Sequence, residues 1–174
     1  MQMPRIGYAP GAFDLFHVGH LNLLRQAKSQ CDYLIAGVVS DEVLTACKGV
    51  TPVIPLAERL EIVRNVRFVD SAHPTTTADR LVIWHQLRFD VIFKGDDWRG
   101  TEKGDQLERA FAAIGVEVVY FPYTTSTSSS VLRGTLRNID ALASRHLSTT
   151  HATAPGATID ALRLGPDPLT FWRT

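Results

Sequence analysis

Gly11-Ala12-Phe13-Asp14-Leu15-Phe16-His17-Val18-Gly19-His20 stands between a short apolar run at residues 6–9 and an amphipathic stretch at residues 21–28. The run reads as a buried strand and the stretch as a helix, so the decapeptide is a strand-to-helix turn carrying two histidines. A helix start exposes unpaired backbone N–H groups at the positive end of the peptide dipole, and such a turn attracts phosphate before any side chain is counted. Two imidazoles beside it add directed donors.

Working outward from this turn, apolar runs alternate with helix-periodic segments. Residues 6–9, 33–39, a weaker run near Val69, 91–94 and 116–121 are expected as strands; residues 19–29, 56–65, 77–88, 105–114 and 128–144 are expected as helices. Continuous apolar runs suit strands buried on both faces, and βα repetition with right-handed crossovers gives an α/β protein: a Rossmann-like, doubly wound parallel sheet of about five strands. Ligands of such sheets gather at the carboxyl ends of the strands, where strand order reverses. The turn after residues 6–9 and the segment Lys94-Gly95-Asp96-Asp97-Trp98 after residues 91–93 are both at carboxyl ends.

Composition sets the limits. The chain has 174 residues, 45% of them apolar and 21% charged, enough for one domain with a real core. Eighteen basic residues balance eighteen acidic ones, which gives no electrostatic footprint for nucleic acid or an anionic membrane. Cys31 and Cys47 lack metal-type spacing and read as reduced thiols. No apolar run approaches the ~20 residues of a membrane span, and Met-Gln-Met-Pro-Arg has no signal-peptide layout. A cytoplasmic protein is expected. His73, His85, His146 and His151 are scattered, so no protein metal site is expected.

After Ser144 the composition shifts to Ser, Thr, Ala, Pro and Gly. Residues 1–144 are expected as the functional domain and 145–174 as a linker or tail. Leu162, Leu164, Phe171 and Trp172 near the end suit either the beginning of a further domain or a tail docked on its own domain or on a neighbouring subunit.

The series formed by the histidine-bearing turn, Ser40-Asp41-Glu42, Lys48, Glu58-Arg59, Arg67-Phe68-Val69-Asp70, Lys94 to Trp98 and the hydroxyl cluster Thr124 to Ser130 resembles the glycerol-3-phosphate cytidylyltransferase family, within the HxGH nucleotidyltransferases. The resemblance covers roughly residues 5–140. It implies transfer of CMP from CTP to a small phosphorylated alcohol, with Mg²⁺, in a homodimer. The acceptor oxygen would attack the α-phosphorus in line, chemistry that asks the protein for alignment and for positive groups where charge accumulates.

The resemblance also implies roles. His17 and His20 would donate to the triphosphate; Lys48, in a segment (residues 46–52) expected to close over the site, and Arg59, reaching the phosphates from the opposite side, would complete the catalytic set. Gly11, Ala12, Phe13 and Gly19 would let the nucleotide approach the backbone. Lys94, Gly95 and Asp97 would read the nucleoside, and Tyr123, Thr124, Thr127, Ser128, Ser129 and Ser130 would hold its phosphates at a second helix start. Asp14, Lys48, Arg80 and Trp98 would bind the acceptor; Arg80 stands where relatives have a second acceptor-binding lysine.

Three cations of the family pattern are missing: Tyr123 replaces an arginine, Val131 a lysine and Val50 a second loop lysine. Each charge-assisted contact is worth roughly 1.5–3 kcal/mol, so Arg80, Arg99, Arg133 or Mg²⁺ would have to compensate. The expected acceptor therefore extends from glycerol 3-phosphate to a hydroxyalkyl phosphonate such as 2-hydroxyethylphosphonate, as in phosphonate antibiotic biosynthesis. Two alternatives stay open: an adenylyltransferase using ATP, and a CTP-binding regulatory domain without turnover.

Overall fold

The computed structural model describes residues 3–122, 124 and 127–150, with the side chains of 145–150 left aside. Five strands, β1 (Ile6–Gly11), β2 (Tyr33–Val39), β3 (Ser71–Thr75), β4 (Val91–Gly95) and β5 (Glu117–Phe121), form an all-parallel sheet in the order β3-β2-β1-β4-β5. Six α-helices accompany them among the described residues: α1 (Val18–Lys28), α2 (Asp41–Lys48), α3 (Leu56–Arg64), α4 (Arg80–Leu87), α5 (Glu102–Ala112) and α6 (Ser129–Thr150). The expected Rossmann-like α/β fold is present.

Period-2 alternation builds two cores, one on each face. Ala9, Leu34, Ala36, Val38, Val91 and Phe93 pack with Leu24, Ala27 and Val63, while Tyr8, Ile35 and Ile92 pack with Ile83, Leu107 and Phe111 on the other face. Each fully buried large apolar side chain contributes about 1.5–3 kcal/mol. β1 pairs with β2 on one side and with β4 on the other, Tyr8 opposite both Ile35 and Ile92. The chain winds outward from β1 in both directions, so the loops after β1 and β4 open side by side at the switch point.

The strand expected near Val69 lies instead at Ser71–Thr75. It is a short edge strand whose Pro74, opposite Val38, has no N–H to give and is tolerated at an edge; its polar composition hides it. Asp70, just before it, accepts from the Leu34 N–H at 2.6 Å and from Lys28 Nζ at 2.6 Å. A second difference is α2, which occupies part of what reads as a loop. Ser40 caps it by accepting from the Val43 N–H, Asp41 and Glu42 fill its first turn, and Gly49 ends it in the left-handed conformation at φ 63°.

The chain divides into two units after Thr135. The first holds the sheet and the beginning of α6. The described part of the second is the remainder of α6, which runs to Thr150, past Ser144; the expected boundary at 144 falls inside this helix. Residues 151–174, most of the expected tail, lie outside the described residues. No described helix is long and apolar enough to cross a membrane.

Candidate active site at the β1–β4 switch point

His17 ends the turn after β1 and caps α1: its Nδ1 accepts from the Gly19 N–H at 3.1 Å. A Cβ at position 19 would lie 2.8 Å from His17 Cε1 and 2.9 Å from Nδ1, so glycine is what lets the ring fold over the helix start. With Nδ1 accepting, the neutral ring carries its proton on Nε2. The centroid of the His20 ring lies 4.0 Å from that of His17, the rings tilted by 32°, and His20 packs against Phe13 and Phe16. Burial lowers both histidines; His20 is pushed down to about 3, with His17 and Lys48 adding repulsion. Both imidazoles are neutral at neutral pH, and His20 Nδ1 is buried with no partner among the described residues. Phe13 and Leu15 in the same turn have φ of 51° and 49°, left-handed values that large side chains adopt only under surrounding constraint.

The start of α6 faces the same space. Ser128 Oγ accepts from the Val131 N–H at 3.2 Å, Ser129 Oγ donates to the Asp14 carbonyl at 2.7 Å, and Asn22 of α1 donates to Thr124 Oγ1 at 3.3 Å. Two helix N-termini thus flank one cavity of about 360 Å³. Gly11, Ala12, Asp14, His17, Gly19, His20, Lys48, Gly95, Asp97, Thr124, Ser128, Ser129 and Ser130 line it, as does Arg133. A second, larger cavity of about 640 Å³ shares Gly11, Ala12, Leu44, Lys48 and Gly95 with the first. Arg80, Lys94 and Trp98 line its wall together with Tyr8, whose hydroxyl is 2.8 Å from Thr75 Oγ1. Tyr8 reaches Thr75 across Gly37, where a Cβ would lie 2.2 Å from the hydroxyl.

Several residues stand elsewhere than the sequence suggests. Arg59 lines neither cavity. It is fully buried, with Nε donating to Ile54 O at 2.8 Å, Nη1 to Val39 O at 2.8 Å and to Ala12 O, and Nη2 to Asp41. All three nitrogens are committed to neighbouring chain segments, so a direct phosphate contact by this guanidinium is replaced by a clamp on the loop after β1. Lys48 is the last residue of α2 rather than part of a closing loop. Lys94 lines the larger cavity and not the smaller one, because alternation along β4 sets it on the Ile92 face, toward α4 and α5. Phe13 is buried beneath the turn, and Thr127 lines neither cavity. Tyr123 lies outside the described residues.

Asp14 is a hub. Burial pushes its carboxyl up, but the N–H groups of Ile54 and Val53 and the Arg133 guanidinium together hold it below the usual range. Arg133, named from sequence only as one of several compensating cations, is brought onto the cavity wall from the second turn of α6. Tyr8 and Thr75 carry no motif that marks them in the sequence; one is in a core strand and the other in the edge strand β3.

Residues 8–151 match the family described as cytidylyltransferase-like. The chain belongs to the cytidylyltransferase-like family. It is 43% identical over 95 residues to an ethanolamine-phosphate cytidylyltransferase of Arabidopsis thaliana, covering 52% of this chain and 22% of that protein. It is 36% identical over 118 residues to an FAD synthase of Thermococcus onnurineus, covering 66% of this chain and 77% of that one. The chain therefore spans about a fifth of the first relative and most of the second. Among solved structures, the lipopolysaccharide core biosynthesis protein of Thermoplasma volcanium superposes with a TM-score of 0.61 at 23% identity, over 72% of this chain and 100% of that one, a likeness of fold.

Proposed function

We propose that this cytidylyltransferase-like chain transfers CMP from CTP to a phosphate or phosphonate oxygen of a small hydroxylated acceptor and releases pyrophosphate. The observation that carries this reading is the shared wall. A cavity flanked by two helix N-termini and two neutral histidines meets, across Gly11, Ala12, Lys48 and Gly95, a cavity lined by Arg80 and Lys94.

In this reading the triphosphate occupies the smaller cavity. Its oxygens take the free N–H groups at the starts of α1 and α6 and the Nε2–H of His17, with His20 beside it. The acceptor lies in the larger cavity with its ionised oxygen at the shared wall. That oxygen forms a bond to the α-phosphorus as the bond from phosphorus to the bridging oxygen breaks, and the electron pair leaves with pyrophosphate. The nucleophile is already ionised, so no base is needed, which suits histidines that stay neutral. Lys48, on both walls, would neutralise charge between the two substrates. Arg133 would replace a missing cation of the family pattern.

Mg²⁺ fits as an ion carried by the triphosphate. No three His, Cys, Asp or Glu side chains cluster into a metal site among the described residues, a donor set suited to Mg²⁺ held mainly by phosphate oxygens and water, with Asp97 on the cavity wall as an available carboxylate. When bound it would neutralise phosphate charge. A cytoplasmic homodimer belongs to the same reading; Leu136, Ile139 and Leu142 of α6 are exposed apolar side chains for such a contact.

Phosphorus NMR of the protein with CTP, Mg²⁺ and a panel of phosphates and phosphonates should show new diphosphate signals and pyrophosphate. CTP left intact with every acceptor would overturn the proposal in favour of a binding domain. The FAD synthase relative favours ATP as a second reading, and product from ATP but not from CTP would establish it.

A further inference from the structure

Lys94 is a lysine in a place where lysines are costly. It is 9% exposed, at the carboxyl end of β4, and among the described residues it forms no ion pair. Its Nζ lies 4.3 Å from the centroid of the Trp98 ring, and the guanidinium carbon of Arg80 lies 4.8 Å from the same centroid. One indole thus serves two cations, and the exposed Lys48 and Lys103 bring the cations lining the cavity to four. Burial, followed by repulsion from Arg80 and Lys48, pushes Lys94 down to about 7; Asp97 is the one carboxylate acting in the opposite sense. Among the described residues the one carboxylate lining the cavity is the exposed Asp79, whose Oδ1 caps α4 by accepting from the N–H groups of Leu81 and Val82.

A buried cation without a counter-ion is destabilising unless a ligand supplies one. Resting on the reading of this cavity as the acceptor side, we infer that Lys94 is a specificity-determining residue, which with Arg80 and Lys48 restricts the acceptor to an anion whose far end carries no positive charge. The phosphate or phosphonate dianion supplies negative charge to this excess of cations. An ammonium on the tail would enter a cavity lined by four cations and, among the described residues, by one exposed carboxylate that already caps a helix, and Trp98, the aromatic face that would otherwise attract it, already carries Arg80 and Lys94. A hydroxyl meets no such penalty. Lys94 is therefore placed to discriminate by charge between acceptors of nearly equal size.

Matched pairs test this at pH 7: 2-hydroxyethylphosphonate against 2-aminoethylphosphonate, and glycerol 3-phosphate against phosphoethanolamine. Each is titrated calorimetrically into the protein and then assayed for turnover with CTP and Mg²⁺. At least one hydroxylated acceptor should bind about tenfold more tightly than its amino counterpart, and Lys94→Met should narrow that ratio. Equal or tighter binding of the amino member in both pairs overturns the inference, as does binding of none of the four, or an unchanged ratio in a folded Lys94→Met protein. Preferential binding of the hydroxylated member without any CDP product upholds the inference and instead overturns the transfer reaction.

Discussion

Arg133 Nη1 lies 2.9 Å from Asp14 Oδ2, and the same carboxylate accepts the N–H groups of Val53 at 3.1 Å and Ile54 at 3.0 Å. One buried side chain therefore ties the turn after β1 to the segment before α3 and to the start of α6. Asp14→Asn keeps the shape but puts an amide NH₂ where only acceptors fit. It should lower stability by about 2–4 kcal/mol and reduce turnover as well, since this carboxylate holds Arg133 of α6 and the segment before α3 against the turn that lines the smaller cavity. Denaturant unfolding and pyrophosphate release, measured on the same preparation, check both effects.

Arg59 leads to a different expectation. Because its nitrogens bind Ile54, Val39, Ala12 and Asp41 rather than facing a cavity, Arg59→Met should cost about 3–5 kcal/mol in stability. Nucleotide affinity per folded molecule should change little. A large loss of CTP affinity in a variant of unchanged stability would return Arg59 to the phosphate site.

His17→Ala and His20→Ala should each reduce kcat by about 10²–10³ if the rings donate to developing charge. Far-UV circular dichroism should be preserved. Near-normal rates in both variants would remove the histidines from the mechanism.

The same histidines make stability fall in acid. Burial lowers His17, His20 and His73 in the folded chain, so unfolding takes up protons below about pH 6.5. Their contribution is complete above that pH and is lost as pH falls, for His20 down to about 3. Going from pH 8 to pH 5.5 should cost on the order of 1 kcal/mol for His20 alone. His20→Asn should flatten the dependence, as read by urea unfolding at the two values.

Lys94 predicts a dependence of opposite use. With Arg80 and Lys48 facing it and Asp97 the nearby carboxylate, it loses its proton near pH 7 when no anion is bound. A dianionic acceptor should bind with proton uptake, so its KM should rise several-fold between pH 7 and pH 8.5. Calorimetry in buffers of different ionisation enthalpy would reveal the proton, and Lys94→Met should abolish it.

Much of the fold was legible because the central strands are continuous apolar runs and the turn after β1 carries a dense local signal. β3 and α2 were not. β3 is a five-residue edge strand with Pro74 and His73 in it, and such a strand owes its pairing to β2 rather than to its own composition. α2 is an eight-residue helix, held in place by its Ser40 cap and the buried Leu44 more than by its own propensity. The halves of the site were readable separately and both were expected at the carboxyl ends of the strands; which side chains line the common cavity was not readable.

By itself the sequence determined the βα alternation, the histidines at a helix start with Gly19 between them, and the hydroxyl-rich second helix start, because each depends on neighbours a few positions apart. Only the tertiary structure decided that Arg59 clamps backbone carbonyls, that Lys48 belongs to two cavities, and that Lys94 and Arg80 share Trp98. The physical reason is the same for all three. A charged side chain acquires its role from the partners and the burial around it, and here those come from strands and helices far apart in the chain, brought together at the switch point between β1 and β4.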